Sequence, residues 1–185
     1  MRIISGQKRG TRLIAPPGLH TRPTGDRVKE NIFNVIQFAI ADCNVLDAFA
    51  GSGALGIEAL SRGARKAVFV ENDGRAARVV AQNVQKAGFE ETATLIRGDI
   101  VRWLSSYRGE PFDLVFLDPP YGLGLEKAVI RLLTERRLVC PGGRIIVERS
   151  AEGDCSGLEE LIILTKQATY GNTKVCFYAV PDGEE

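Results

Sequence analysis

The sequence predicts an α/β fold, a doubly wound seven-stranded sheet that ends in an antiparallel hairpin and is preceded by a small N-terminal β-hairpin and helix. Three observations carry the prediction. From about residue 44 onward, short apolar runs at 45–49, 67–70, 94–96, 114–117 and 145–147 alternate with stretches of helical periodicity. Those runs are apolar on both faces, as parallel strands covered by helices must be. The last two runs, 161–168 and 174–180, are separated by Tyr170-Gly171-Asn172. No helix fits there, so the two strands pair antiparallel.

Each element has its own signal. Residues 2–5 and 11–14 are strand-like and are bracketed by Gly6 and Gly10, the pattern of a hairpin. Pro16, Pro17, Gly18 and Pro23 then interrupt regular structure. A helix follows, capped near Thr24 or Asp26, with Val28, Ile32, Val35, Ile36 and Ala39 at helical spacing. After the first core strand comes a glycine turn and a second helix. Asp73 caps a third helix whose apolar face is Ala76, Val80, Val84 and Ala87, and Gly88 ends it. A fourth covers 100–107. A fifth carries Leu125, Val129, Leu132 and Leu133 and stops before Pro141-Gly142-Gly143. The division expected is an extension over 1–40 and a catalytic domain over 41–185.

Bulk properties narrow the function. The chain of 185 residues is 44% hydrophobic and 25% charged, the composition of a soluble globular protein. No apolar run reaches the roughly 18–20 residues of a membrane span, and no signal-peptide core opens the chain; the expected location is the cytoplasm. Four cysteines, none at C-x-x-C spacing, are expected as reduced thiols, and a single histidine, His20, leaves no His/Cys metal cluster. The net charge of +1 is uneven. Residues 1–30 carry seven Lys/Arg against two acids, hence +5, and the remainder carries 17 against 21, hence −4. The basic segment is either an RNA-gripping surface or a solvated hairpin.

Two motifs carry chemistry. Gly51, Gly53 and Gly56 form G-x-G-x-x-G between a strand and a helix, with Glu71 twenty residues after the first glycine, placed to accept hydrogen bonds from ribose hydroxyls. Asp47, at the end of the strand before the turn, separates two ligand classes. A carboxylate there would repel the pyrophosphate of NAD. It suits S-adenosylmethionine, which carries a sulfonium and an ammonium and no phosphate. Asp99 reads equally as an acceptor for an adenine amino group and as a helix cap. Phe49, Asn72 and Ile100 complete the candidate donor-site set.

The second motif is Asp118-Pro119-Pro120-Tyr121, just past the fourth core run. An exocyclic amino group on a base is a poor nucleophile because its lone pair is delocalised. Two acceptors aimed at its N–H bonds, the Asp118 carboxylate and a proline-fixed carbonyl such as that of Pro119, localise that lone pair. Tyr121 offers an aromatic face for stacking. The expected catalytic set is therefore Asp118, Pro119 and Tyr121.

These residues, with Arg2–Gly6, Lys8-Arg9-Gly10, the run from Arg22 through Pro23, Thr24 and Arg27 to Glu30, the stretch 47–62 and the segment 170–173, resemble the RsmD family of bacterial 16S rRNA guanine-N2 methyltransferases over nearly the whole chain. The Asp118 tetrad alone is shared with adenine-N6 DNA and protein-glutamine methyltransferases, which stand as the alternative. The resemblance implies the Rossmann-like class I methyltransferase fold, S-adenosyl-L-methionine as donor, and a guanine of the small ribosomal subunit or its assembly intermediate as acceptor. It places donor binding on Asp47, Gly51, Gly53, Glu71 and Asp99, and catalysis on Asp118. It also favours the RNA reading of the basic segment, with Lys8, Arg9, Arg12, Arg22, Thr24 and Arg27 as contacts. A monomer without metal or membrane association is expected. An NAD-dependent oxidoreductase or a nucleotide-binding module is the competing class.

Overall fold

The computed structural model describes residues 1–16, 25–120, 124–153 and 157–181. Seven strands form one sheet: β1 (Asn44–Asp47), β2 (Lys66–Glu71), β3 (Ala93–Arg97), β4 (Phe112–Leu117), β5 (Val139–Ser150), β6 (Ile163–Tyr170) and β7 (Thr173–Ala179). Their spatial order is β3-β2-β1-β4-β5-β7-β6. The first five are parallel, and β7 pairs antiparallel with both β5 and β6. The helices are α1 (Asp26–Ile36), α2 (Ala54–Ser61), α3 (Gly74–Ala87), α4 (Ile100–Ser106) and α5 (Leu125–Glu135), with a short 3-10 turn after α1.

Chain order reverses between β1 and β4, which are hydrogen-bonded neighbours with Asp47 opposite Phe116. In an open α/β sheet the ligand crevice lies outside the strand carboxyl ends at that reversal. Two apolar cores flank the sheet. One gathers α1, α2 and α3 with Ile3 and Leu13, so the N-terminal segment belongs to the same core as the helix behind the glycine turn. The other gathers α4 and α5.

Local signals set the helix ends. The Asp73 carboxylate accepts from the backbone N–H of Arg75 and Ala76, both at 2.8 Å, and Gly88 closes α3 in the left-handed region with φ of 71°. Two expectations change. The N-terminal hairpin is shorter than expected: Arg2 and Arg12 form an antiparallel bridge, flanked by Ile3 N–H donating to the Thr11 carbonyl at 2.9 Å, Gly10 N–H to the Ile3 carbonyl at 2.8 Å and Leu13 N–H to the Met1 carbonyl at 3.1 Å. The backbone past Ile3 turns to α2: Ile4 and Ser5 N–H donate to the Glu58 carboxylate at 2.8 and 3.0 Å, Gln7 N–H donates to the Ser61 carbonyl at 2.7 Å, and Lys8 N–H donates to Ser61 Oγ at 3.0 Å. Gly6, with φ of 85°, permits the approach, since a Cβ there would lie 1.8 Å from the Ser61 carbonyl oxygen. The second change concerns Pro141-Gly142-Gly143, which lies inside β5. α5 has already ended at Glu135, and Arg137 turns the chain with φ of 51°. Among the cysteines, Cys43 and Cys140 are free but Cys176 is disulfide-bonded, so the expectation of four reduced thiols fails there.

Candidate active site

Acidic residues close four of the parallel strands at one edge. Asp47 ends β1, Glu71 ends β2, Asp118 follows β4, and Glu148 lies near the carboxyl end of β5. Each central strand therefore delivers a carboxylate to the crevice side.

The glycine turn hangs from two of these acids. The buried Asp47 accepts from the Gly56 N–H at 3.0 Å and so holds the first turn of α2. Glu71 accepts from the Gly51 N–H through Oε2 and from the Asp73 N–H through Oε1, both at 2.8 Å. Gly53 sits at φ of 77° and donates its N–H to the Ala50 carbonyl at 2.6 Å. Gly56 serves packing, because a Cβ there would lie 2.4 Å from the Phe69 ring. The Ser52 carbonyl accepts from Asn83 Nδ2 at 2.8 Å. Among the described residues this leaves one peptide of the turn, Gly51–Ser52, with neither its C=O nor its N–H engaged. A ligand laid on the turn meets that free peptide.

The electrostatics of the edge are one-sided. Burial, aided by the charge of Glu71 and opposed by the Gly56 hydrogen bond, pushes the Asp47 carboxyl up to about 7. Asp118, only partly exposed, is held well above the usual carboxylate range by burial first, then by the negative charges of Glu148 and Asp47. Among the described residues, no cationic side chain pairs with Asp47 or Asp118. A cationic ligand would relieve this repulsion, whereas a pyrophosphate would add to it.

The other sequence-predicted residues are distributed as follows. Pro119 is buried beside Asp118; Tyr121 lies outside the described residues. Phe49 is partly buried and packs against the α4–α5 core, while Asn72 is exposed just past β2. Gly98 N–H donates to the Glu71 carbonyl at 3.0 Å, which brings Asp99 to the same edge. There the Asp99 carboxylate caps α4 through the Arg102 N–H at 2.8 Å, and Ile100 is buried beneath it. Of the basic residues, Arg9 and Arg27 share a cavity of about 270 Å³ with Arg2, bounded by Asp26 and Glu30. Arg12 is exposed beside Arg2 in the bridge. Lys8 points elsewhere, 6.0 Å above the Phe89 ring. Arg22 and Thr24, like His20, lie outside the described residues.

Sequence reasoning missed Glu148, Arg2 and Asn83. Glu148 repeats the strand-end acid already noted at Asp47 and Glu71, so the signal was present. Asn83 sits two helical turns after Ala76 on the apolar face of α3, a polar residue where the stripe predicts burial.

Comparison with known proteins gives the family and the fold. Residues 1–179 match the family described as Conserved hypothetical protein 95. The chain is 39% identical over 171 residues to Ribosomal RNA small subunit methyltransferase D of Haemophilus influenzae, covering 91% of this chain and 89% of that protein. The solved structure of yhhF from Escherichia coli superposes with a TM-score of 0.88 at 34% identity, covering 99% of each chain. An RNA methyltransferase of Salinibacter ruber, solved with S-adenosyl-L-homocysteine, shares the fold with a TM-score of 0.68 at 15% identity, over 88% of this chain and 96% of that one.

Proposed function

The chain belongs to the RsmD family, matched as Conserved hypothetical protein 95, and we propose that it methylates the exocyclic N2 amino group of a guanine in 16S rRNA of the small ribosomal subunit. One observation carries the reading. Two buried or part-buried carboxylates that have no cationic partner among the described residues, Asp47 and Asp118, stand at the same strand edge as a glycine turn with one peptide unengaged by those residues. That combination fits S-adenosyl-L-methionine, a cation without phosphate, better than a dinucleotide.

Bound in the crevice, S-adenosyl-L-methionine supplies an electrophilic methyl carbon. The chain's own residues do the rest. Asp118 accepts one N–H of the guanine amine, and the Pro119 carbonyl accepts the other, which localises the nitrogen lone pair toward the methyl carbon. As the N–C bond forms and the C–S bond breaks, the nitrogen gains positive charge, which Asp118 stabilises. Asp118 then takes the proton that the methylated nitrogen releases. Tyr121 supplies the stacking face. Glu71 and the Gly51–Ser52 peptide bind the ribose and methionine ends, with Asp99, Phe49, Asn72 and Ile100 around the adenine. No metal is required by this chemistry.

Residues 1–40 form the RNA-contacting extension in this reading. Arg9 and Arg27, with Arg2, meet phosphates around their shared cavity, and Arg12, Arg22 and Thr24 extend the contact. Lys8 is the weakest member, turned toward Phe89. A cytoplasmic monomer belongs to the same proposal.

The test is tritiated-methyl transfer to free rRNA, small subunits and DNA side by side, followed by nucleoside analysis. N2-methylguanosine in small-subunit rRNA is expected, and Asp118→Ala should lower the rate about 10³-fold or more with donor binding retained. Label in N6-methyladenine, or near-normal turnover by the variant, would refute the assignment.

A further inference from the structure

The donor turn and the N-terminal segment share one residue. Asn83 is fully buried on α3 and uses its whole side-chain amide. Its Oδ1 accepts from the Ile14 N–H at 2.7 Å, and its Nδ2 donates to the Ile14 carbonyl at 2.9 Å. This two-point pairing mimics a neighbouring strand. The second Nδ2 hydrogen goes to the Ser52 carbonyl at 2.8 Å. Every donor the amide has is spent, half on a segment 69 residues away and half on the glycine turn 31 residues away.

The consequence for the turn is specific. The Ser52–Gly53 peptide is pinned from both sides, its C=O by Asn83 and its N–H by Ala50. The preceding amide, Gly51 N–H, is pinned by Glu71. The free Gly51–Ser52 peptide between them can then present its C=O and N–H in only one orientation. The Ser52 side chain adds a second link, with Oγ donating to Met1 Sδ at 3.5 Å. The N-terminal segment is therefore linked to the turn twice, directly through Met1 and by way of Asn83 through Ile14.

We propose that Asn83 is a positioning residue for the methyl donor, which aligns the free Gly51–Ser52 peptide by clamping the Ser52 carbonyl to the N-terminal segment at Ile14. The inference rests on the donor-binding reading above. Loss of this buried amide leaves two carbonyls and one N–H without their partner, so the turn must reorganise to satisfy them. Preorganisation of the donor peptide would be lost with them.

The experiment measures S-adenosylmethionine affinity by calorimetry and steady-state kinetics for four proteins: the parent, Asn83→Ala, Ile14→Pro and Gln82→Ala. Ile14→Pro removes the single N–H that Asn83 accepts while leaving α3 intact, so it keeps the test valid if Asn83→Ala folds poorly. Gln82, exposed on the same helix, is the control. Expected are a donor Kd and a donor KM raised about tenfold in Asn83→Ala and several-fold in Ile14→Pro, with kcat at saturating donor within about twofold of the parent. Gln82→Ala should match the parent. Folded variants with parental donor Kd would overturn the proposal, as would a loss confined to kcat. If the parent itself bound no S-adenosylmethionine, the functional reading would fail instead, and the two failures are distinguishable.

Discussion

Two regions of this molecule bury carboxylates, and they treat them in opposite ways. Behind α2, Glu58 is fully buried and surrounded by partners. Lys29 Nζ lies 3.2 Å from Oε2, Arg62 Nε donates to Oε1 at 2.8 Å, and the Ile4 and Ser5 N–H groups donate at 2.8 and 3.0 Å. Lys29 also donates to the Arg2 carbonyl at 2.5 Å, and Arg62 stacks 4.8 Å over Phe33. At the crevice edge, Asp47 and Asp118 are desolvated near other carboxylates, with no cationic side chain of the described residues beside either. The first region is a finished network that latches the N-terminal segment and α1 to the core. The second has no such partners among the described residues, and a ligand with positive charge would complete it.

Glu58 is the residue whose loss should cost the most stability. Glu58→Ala strands Lys29 without a counter-ion in a site where burial already lowers its pKa. The loss should be about 3–5 kcal/mol, read by chemical denaturation, with the N-terminal amides losing exchange protection first. An unchanged midpoint would mean that the latch carries no stability.

Asp47 should respond with the opposite sign. Its folded pKa of about 7 lies above the ordinary value of 3.8, so the folded state binds the extra proton between those values. The associated stability is fully present below about pH 4 and is lost as pH rises through about 7. Asp47→Asn keeps an acceptor for the Gly56 N–H and has no charge to bury. At pH 8 it should be more stable than the parent by up to about 4 kcal/mol, converging with it near pH 4, while binding S-adenosylmethionine more weakly. Parallel stability-versus-pH curves for the two proteins would contradict the origin assigned to the shift.

Much of this was legible in the sequence wherever the determinant was local. The alternating apolar runs define the sheet, Asp73 and Gly88 mark both ends of α3, and Asp47 with the glycines marks the turn because its geometry is set within ten residues. What stayed hidden depends on contacts between distant segments. Glu58 and Lys29 read as ordinary helix residues until α1 and α2 meet. Residues 2–14 carry the alternation of a hairpin, yet the cross-strand pairing stops at Ile3, because Glu58 captures the N–H groups of Ile4 and Ser5 and Ser61 those of Gln7 and Lys8. In the tetrad, the sequence shows Asp118 but not that Glu148 and Asp47 raise its proton affinity from the neighbouring strands.

The smallest effect on stability belongs to the exposed cations. Reversing Arg9 and Arg12 to Glu should leave the unfolding midpoint nearly unchanged. It should weaken rRNA binding and reduce the slope of log affinity against log salt by about 1 to 2. An unaltered slope would remove these residues from the RNA contact.

Asp47 and Asp118, with no cationic side chain of the described residues paired to either, hold the negative charge that a cationic donor would meet in the proposed function. The direct measurement is calorimetric titration with S-adenosylmethionine and with S-adenosylhomocysteine, which lacks the sulfonium charge, from about pH 6 to about pH 8. S-adenosylmethionine should bind more tightly as pH rises, releasing a proton on binding, with a weaker trend for S-adenosylhomocysteine. S-adenosylmethionine affinity that is flat or falls with pH would contradict the account.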